Sequence, residues 1–237
     1  DSLLAGGADL CLAGVVLIVP FIMGGRTPLG EMILVGLACA AALCWGLSQL
    51  FKRRPLVRWS GAEILFLLAI GLGIFQLIPL DRGTLLGISP HLEVLLPLRV
   101  AGGGGEMKGG EASTLTTTLP PWNQLSLYPA LTRQGLILLG AYALLFFVAL
   151  QRMRSGEQIE RLLKLVSAAS VLMAVLGLAQ FFFGNGKFFW IFEHPQATTS
   201  DFVKGAFSNR NHFAQFLALG IGPLVWLVLQ VFDSPGQ

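Results

Sequence analysis

The sequence predicts an all-α, polytopic integral membrane protein with about six transmembrane helices, and three observations carry that reading. Of its 237 residues, 54% are hydrophobic and only 12% are charged, whereas soluble domains carry roughly a quarter charged residues. The mean hydropathy is +0.71. The 13 acidic and 16 basic residues gather in short stretches and leave apolar runs of about 20 residues, the length that crosses a hydrocarbon core roughly 30 Å thick. An ordinary soluble globular domain is excluded.

The first run extends from about Asp9 to Met23 and stops at Gly24-Gly25-Arg26-Thr27-Pro28, a turn through which no helix continues. The second covers about Glu31 to Phe51. After Lys52-Arg53-Arg54 and Arg58, the third spans about Ala62 to Leu80 and is ended by Pro79 and Asp81-Arg82. Residues 1–80 thus form a block of three spans. A polar loop follows over 81–131, with the glycine-rich insertion Ala101 to Gly110 and Thr116-Thr117-Thr118, a composition that forms mobile linker rather than a site. Pro120-Pro121-Trp122 and Leu125 to Pro129 have the interfacial character of aromatic rings with a polar edge.

The last block, 132–237, opens with Thr132 as the expected N-cap of a fourth span, about Arg133 to Leu150. A fifth covers about Leu162 to Phe183, and a second loop, about Gly184 to Arg210, leads to a sixth from about His212 to Phe232. Basic residues cluster between spans two and three (Lys52, Arg53, Arg54, Arg58) and between four and five (Arg152, Arg154, Arg161, Lys164). Both connectors are therefore expected in the cytoplasm, with both termini on that side and loops 81–131 and 184–210 facing the periplasm or cell exterior.

Several function classes are disfavoured. The net charge is +3 and the pI about 9.0, but the basic residues flank spans and form no continuous face, so no nucleic-acid partner is expected. Cys11, Cys39 and Cys44 lie in apolar runs with no CxxC and no nearby His, which reads as packing rather than a metal site or disulfide framework. No metal or cofactor is predicted. The charges bordering the spans, Asp9, Glu31, Glu63, Arg133 and Lys164, all fall at expected edges, whereas a transporter keeps ionisable residues at mid-membrane depth. No two glycines four apart share a span, so the tightest helix-pairing motif is absent. Gly184-Asn185-Gly186-Lys187 lacks the spacing of a phosphate loop. External acids are sparse (Asp81, Glu93, Glu106, Glu111, Glu193, Asp201), and His91 and His194 read as solvated loop residues.

The densest polar cluster is Lys204 to Ala214 at the mouth of the sixth span. Asn209, Arg210, Asn211 and His212 place two amides, a guanidinium and an imidazole at a helix N-terminus. Such an end, with partial positive charge on its N–H groups and a forked guanidinium, suits an anionic head group. The alternative is that Asn209 or Asn211 caps the helix while Arg210 and His212 point to water.

Gly205-Ala206-Phe207-Ser208-Asn209-Arg210-Asn211-His212-Phe213-Ala214 resembles the G-x-F-x-N-x-N-x-F-A signature of the O-antigen ligase and polymerase family, in its "NRNHFA" branch. Ser126 to Arg133 is similar to the S-L-x-P-x-x-T-R/K segment preceding a helix in that family, and Phe75 to Leu80 followed by Ile88-Ser89-Pro90 resembles a third pattern. Order and spacing agree from about residue 60 to 232. The resemblance implies a glycosyltransferase of the bacterial inner (cytoplasmic) membrane, acting in polysaccharide or lipopolysaccharide biosynthesis. Its donor is a glycan on undecaprenyl diphosphate; its acceptor is a lipid A core sugar, another repeat unit or a protein hydroxyl.

On that reading Arg210 contacts the diphosphate and Asn209 and Asn211 order the loop or sugar. His212, Arg133 and Lys204, with Lys187, extend the anionic-lipid site. The family has more membrane helices than this chain, and its essential His and a further Arg lie in a later periplasmic loop. His212 is not that residue, and no catalytic residue is assigned. The chain, opening at Asp1 and closing at Gln237, is expected to be an N-terminal portion that is incomplete alone. The rival expectation is a noncatalytic six-helix membrane subunit or scaffold that binds a lipid or a partner complex.

Overall fold

A computed structural model describes residues 2–51, 57–91 and 122–233. The glycine-rich insertion, Thr116-Thr117-Thr118, Pro120-Pro121 and Lys52-Arg53-Arg54 lie outside the described residues. Among those described, the helices are α1 (Ser2–Leu17), α2 (Pro28–Leu50), α3 (Ala62–Leu77), α4 (Arg82–Ile88), α5 (Pro129–Arg152), α6 (Gly156–Phe183) and α7 (Arg210–Asp233). Five segments are long and apolar enough to cross a membrane: Leu3–Phe21, Pro28–Leu50, Pro129–Arg152, Gly156–Phe183 and Arg210–Gln230. They leave large apolar side chains exposed, Leu10, Leu43, Ile137, Val175 and Ile221 among them, the arrangement of helices whose solvent is lipid. The chain is an all-α, multi-pass membrane protein.

Helix ends follow local chemistry and correct several expected boundaries. α2 starts where Thr27 Oγ1 accepts from Gly30 N–H at 3.2 Å, with Pro28 at a position that needs no N–H donor. α6 starts at Gly156 rather than about Leu162, because Ser155 and Gln158 form a reciprocal capping box. α5 starts at Pro129, and the Tyr128 carbonyl accepts from Thr132 N–H at 3.1 Å. Thr132 is therefore inside the first turn rather than capping it, and its hydroxyl sits 2.7 Å from Ser126 Oγ. α3 stops at Leu77, not Leu80, since a residue before proline avoids the helical region and Pro79 follows Ile78.

The first helix departs most. It runs Ser2–Leu17, not from Asp9, and Pro20 interrupts it so that Val19–Phe21 and Met23–Gly25 wind as short 3-10 turns. Asp9 lies two turns into α1, level with Arg152, the last residue of α5. Its carboxylate is met in fork-to-fork fashion by Arg152, with Nε to Oδ1 at 2.7 Å and Nη2 to Oδ2 at 2.6 Å.

The chain divides into two units, 1–63 with 140–237 and 64–139. In the first, α1 packs on α2 and on α6, and α6 on α7. One apolar cluster centres on Ala8, Leu12, Ala41 and Val148, flanked by Cys11 and Cys44; these two cysteines pack between helices, whereas Cys39 is exposed. Gln151 clips the incoming loop by accepting from Arg58 N–H at 2.9 Å and donating to its carbonyl at 2.7 Å. Gly220 lets α7 approach Ser170 of α6 so closely that a Cβ would collide with the hydroxyl. Close helix pairing is thus achieved without glycines four apart.

In the second unit the end of α3 lies beside the start of α5. Ser126 N–H donates to Gln76 O at 3.0 Å, Leu80 N–H to Asn123 O at 2.7 Å, and Gly73 lies against Leu136. Asp81 caps α4, accepting from the Thr84 hydroxyl at 2.7 Å and its N–H at 3.0 Å. These bonds, the hydroxyl's first, hold the carboxyl below its ordinary pKa.

Replacing Asp9 by Ala strands a guanidinium that is only 18% exposed. The expected loss is on the order of 2 kcal/mol of stability, read as a lower thermal midpoint in detergent. Asp9→Ala combined with Arg152→Leu should recover most of it; a double variant no better than the single one would show that the pair does not couple.

Candidate functional site

The polar cluster read from the sequence is built where the 184–209 loop returns into α7. Asn209 is the cap of that helix: its Oδ1 accepts from Asn211 N–H at 2.8 Å, and its carbonyl accepts from Phe213 N–H at 3.2 Å. α7 therefore begins at Arg210, two residues before the expected His212. The loop before it is locked by packing. Gly205 takes φ +54°, and a Cβ there would stand 2.8 Å from Met173 Sδ and 2.9 Å from the Phe213 ring. Met173, Ala206, Phe207 and Phe213 form a buried apolar cluster with Phe21, Leu176 and Phe216 around it. Gly205, Phe207, Asn209 and Phe213 thus have packing or capping tasks.

A buried glutamine holds this loop to α6. Gln180, 1% exposed, accepts from Phe189 N–H at 2.9 Å and donates to Gly205 O at 3.3 Å. Both ends of one amide are used, tying the loop's first half and its last turn to the same helix position.

The exposed members of the motif are Ser208, Asn209, Arg210, Asn211 and Ala214. The Arg210 guanidinium lies over the Phe202 ring, 4.3 Å from its centroid. Stacking uses the face of the guanidinium and leaves its edge N–H groups for a planar or tetrahedral anion. His212 is half-buried, and Arg26 Nη1 reaches its Nε2 at 3.0 Å. Because a guanidinium can only donate, Nε2 accepts, and the ring hydrogen sits on Nδ1, facing Gln215 Oε1 at 3.4 Å.

Arg26 was not among the residues singled out from the sequence. It arrives because the Gly24-Gly25 turn packs on the motif loop: Gly24, at φ +68°, has the Phe207 ring where a Cβ would be, 2.6 Å away. Neither Arg26 nor Arg210 has a carboxylate partner among the described residues, although Glu31 and Asp201 belong to the segments beside them.

Lys204 is placed differently from a free anion ligand. It is buried, with Nζ donating to Thr198 O at 2.9 Å and standing 5.7 Å over Phe202. It forms part of the wall of a polar cavity of about 470 Å³ that also includes Asn185, Lys187, Glu193, Thr198 and Ser200. Lys187 pairs with Glu193 at 3.3 Å, and Asp201 lines the cavity as well as Lys204, so two basic and two acidic side chains share it. His194 in its rim is half-buried rather than solvated, accepting from Gln196 N–H at 3.1 Å. Arg133 belongs to the second unit, exposed near the start of α5. Among the described residues no three His, Cys, Asp or Glu side chains gather as metal ligands do.

Comparison with protein-family models, with curated proteins and with solved structures finds no match to this chain.

Gln180→Leu removes the clip with a side chain of similar size and leaves the buried Gly205 carbonyl and the part-buried Phe189 N–H without that partner, at about 1–3 kcal/mol for the buried group. Hydrogen–deuterium exchange should accelerate over 184–209 and leave the middle of α2 unchanged. Gln196→Leu, an exposed control on the same loop, should change neither.

Proposed function

We propose that this chain contributes the lipid-diphosphate side of the site in a membrane glycosyltransferase like the O-antigen ligases and polymerases. The observation that carries the reading is the pair Arg26 and Arg210, two guanidiniums without carboxylates among the described residues, set at the capped N-terminus of α7. In glycan transfer from a polyprenyl diphosphate, an acceptor hydroxyl forms a bond to the anomeric carbon while the carbon–oxygen bond to the diphosphate breaks. Negative charge then grows on the departing phosphate, and donors fixed beforehand stabilise that charge most. Arg210, immobilised by its stack on Phe202, and Arg26, oriented by His212, fill that role in the proposal. The base that takes the hydroxyl proton is not assigned to any residue of this chain.

The lipid tail of such a donor would lie along the apolar helices, with its diphosphate at the level of the α7 start. On the same proposal the membrane is the bacterial inner membrane, loop 184–209 faces the periplasm and the acceptor is a glycan, lipid or protein. A second reading has an observation of its own in its favour. Gly205, Phe207, Asn209 and Phe213 are accounted for by packing and capping alone, which fits a noncatalytic membrane subunit or scaffold.

Binding of undecaprenyl diphosphate to the full-length protein in detergent separates the two. For the enzyme reading, Arg210→Ala should weaken binding at least about tenfold, the loss of one charge-assisted contact. Arg210→Lys should fall between Ala and the native residue, and affinity should decline with salt. Equal affinity for the native and Arg210→Ala proteins would favour the scaffold.

A further inference from the structure

The loop between α6 and α7 carries a second feature that the anion site does not use. Residues 188–192 close a tight hairpin, with an isolated antiparallel bridge between Phe188 and Phe192 and a bond from Ile191 N–H to Phe188 O at 3.2 Å. Its two central residues, Phe189 and Trp190, have φ of 53° and 63°. Hairpin turns of this backbone type normally carry Asn-Gly or a similar pair, since side chains are disfavoured at positive φ. Here two consecutive aromatic residues are held in it. The clamps are Asn185 Nδ2, which donates to Trp190 O at 3.0 Å, Gln180, which accepts from Phe189 N–H, and the Trp190 indole N–H, which donates to Phe183 O at 2.9 Å.

The result of holding the turn this way is an apolar tip. Ile191 is 83% exposed, and Trp190 and Phe192 are also exposed; the indole bond joins Trp190 to Phe183, which with Phe182 forms the exposed end of α6. Phe188 turns inward and is fully buried, and Phe189, half-buried, packs against the Met173, Phe207 and Phe213 cluster. A strained backbone kept in place so that apolar groups face outward is a feature with a use.

The level of the tip relative to the membrane follows from α6. The first turns of that helix hold Glu157, Glu160, Arg161 and Lys164, and the uncharged stretch after them, 165–183, rises roughly 28 Å at 1.5 Å per residue. That length nearly equals a hydrocarbon core, so Phe183 falls at its far boundary. The indole bond to the Phe183 carbonyl puts Trp190 at the same boundary, where amphipathic rings settle. We propose that the 188–192 hairpin dips into the lipid leaflet at the α6 exit, an interfacial anchor whose occupant is the lipid surface itself. It fixes loop 184–209 at head-group height and leaves the polar cavity of Asn185, Lys187, Thr198 and Lys204 facing the aqueous side. The proposal rests on the membrane-spanning character of α6 and not on the glycosyltransferase reading.

The test is spin labelling of the full chain in phosphatidylcholine vesicles, with Cys11, Cys39 and Cys44 replaced by Ala. Labels go at Ile191→Cys, at Gln196→Cys as an aqueous reference on the same loop, and at Leu172→Cys, an exposed mid-span position of α6, as a lipid reference. The label at Ile191 should collide several-fold more with oxygen than with a water-soluble nickel chelate, between the two references. Nickel accessibility equal to that at Gln196 places the tip in water and overturns the proposal; low accessibility to both reagents places it against protein and overturns it equally. Should the cysteine-free background not fold, Trp190→Phe in the native-cysteine protein gives the same decision. Quenching of tryptophan emission by lipids brominated near the head group should fall relative to the native protein, and an unchanged quenched fraction refutes insertion.

Discussion

One buried amide holds the region where this protein's polar chemistry is gathered. Gln180 lies in an otherwise apolar stretch of α6 and satisfies both its donor and its acceptor on backbone groups of the following loop. In a low-dielectric setting an unpaired amide is costly, so the bonds are maintained by the penalty for breaking them as much as by their own strength. Everything downstream inherits that register: Gly205 seated on Met173, Phe207 against Gly24, the cap at Asn209, and through them the placement of Arg210, His212 and Arg26. The hairpin at Phe189 hangs from the other end of the same side chain.

The helices were legible in the sequence because a bilayer imposes a blunt demand, about 20 apolar residues without charge, and five of the expected spans answer it as long helices. Ends were less legible. Ser155 with Gln158 and Pro129 after Tyr128 are capping signals, but they lie in polar sequence ahead of the point where hydropathy rises. The partner of Asp9, Arg152 at the end of α5, is 143 residues away, beyond any local pattern. The cluster Asn209 to His212 was found from its composition, and the capping task of Asn209 was one of the two alternatives weighed for it.

Arg26 and Gln180 were missed for different reasons. Arg26 follows Gly24-Gly25 in what reads as a simple turn; the available signal was that this turn is expected on the same membrane side as the α7 start. Gln180 was a lone amide in an apolar span, and polar residues at such positions are costly enough to have a partner or a task. Lys204 shows the opposite error: its charge suggested an anion ligand, whereas burial and the Thr198 carbonyl give it a structural bond.

The α3 helix has a consequence for the lipid around the protein. At 16 residues it is roughly 24 Å long, several Å short of an average hydrocarbon core, while α6 has 28 residues. A short span is accommodated by local thinning of the bilayer or by stretching of its flanking residues, at fractions of a kcal/mol per Å. The exposed Trp59 before α3 and the Pro79-Leu80-Asp81 exit after it are the groups that must meet the two head-group layers. Sixteen residues fall short of the five segments long enough to cross a membrane, so where α3 meets lipid the non-helical chain on either side of it has to reach toward the head groups.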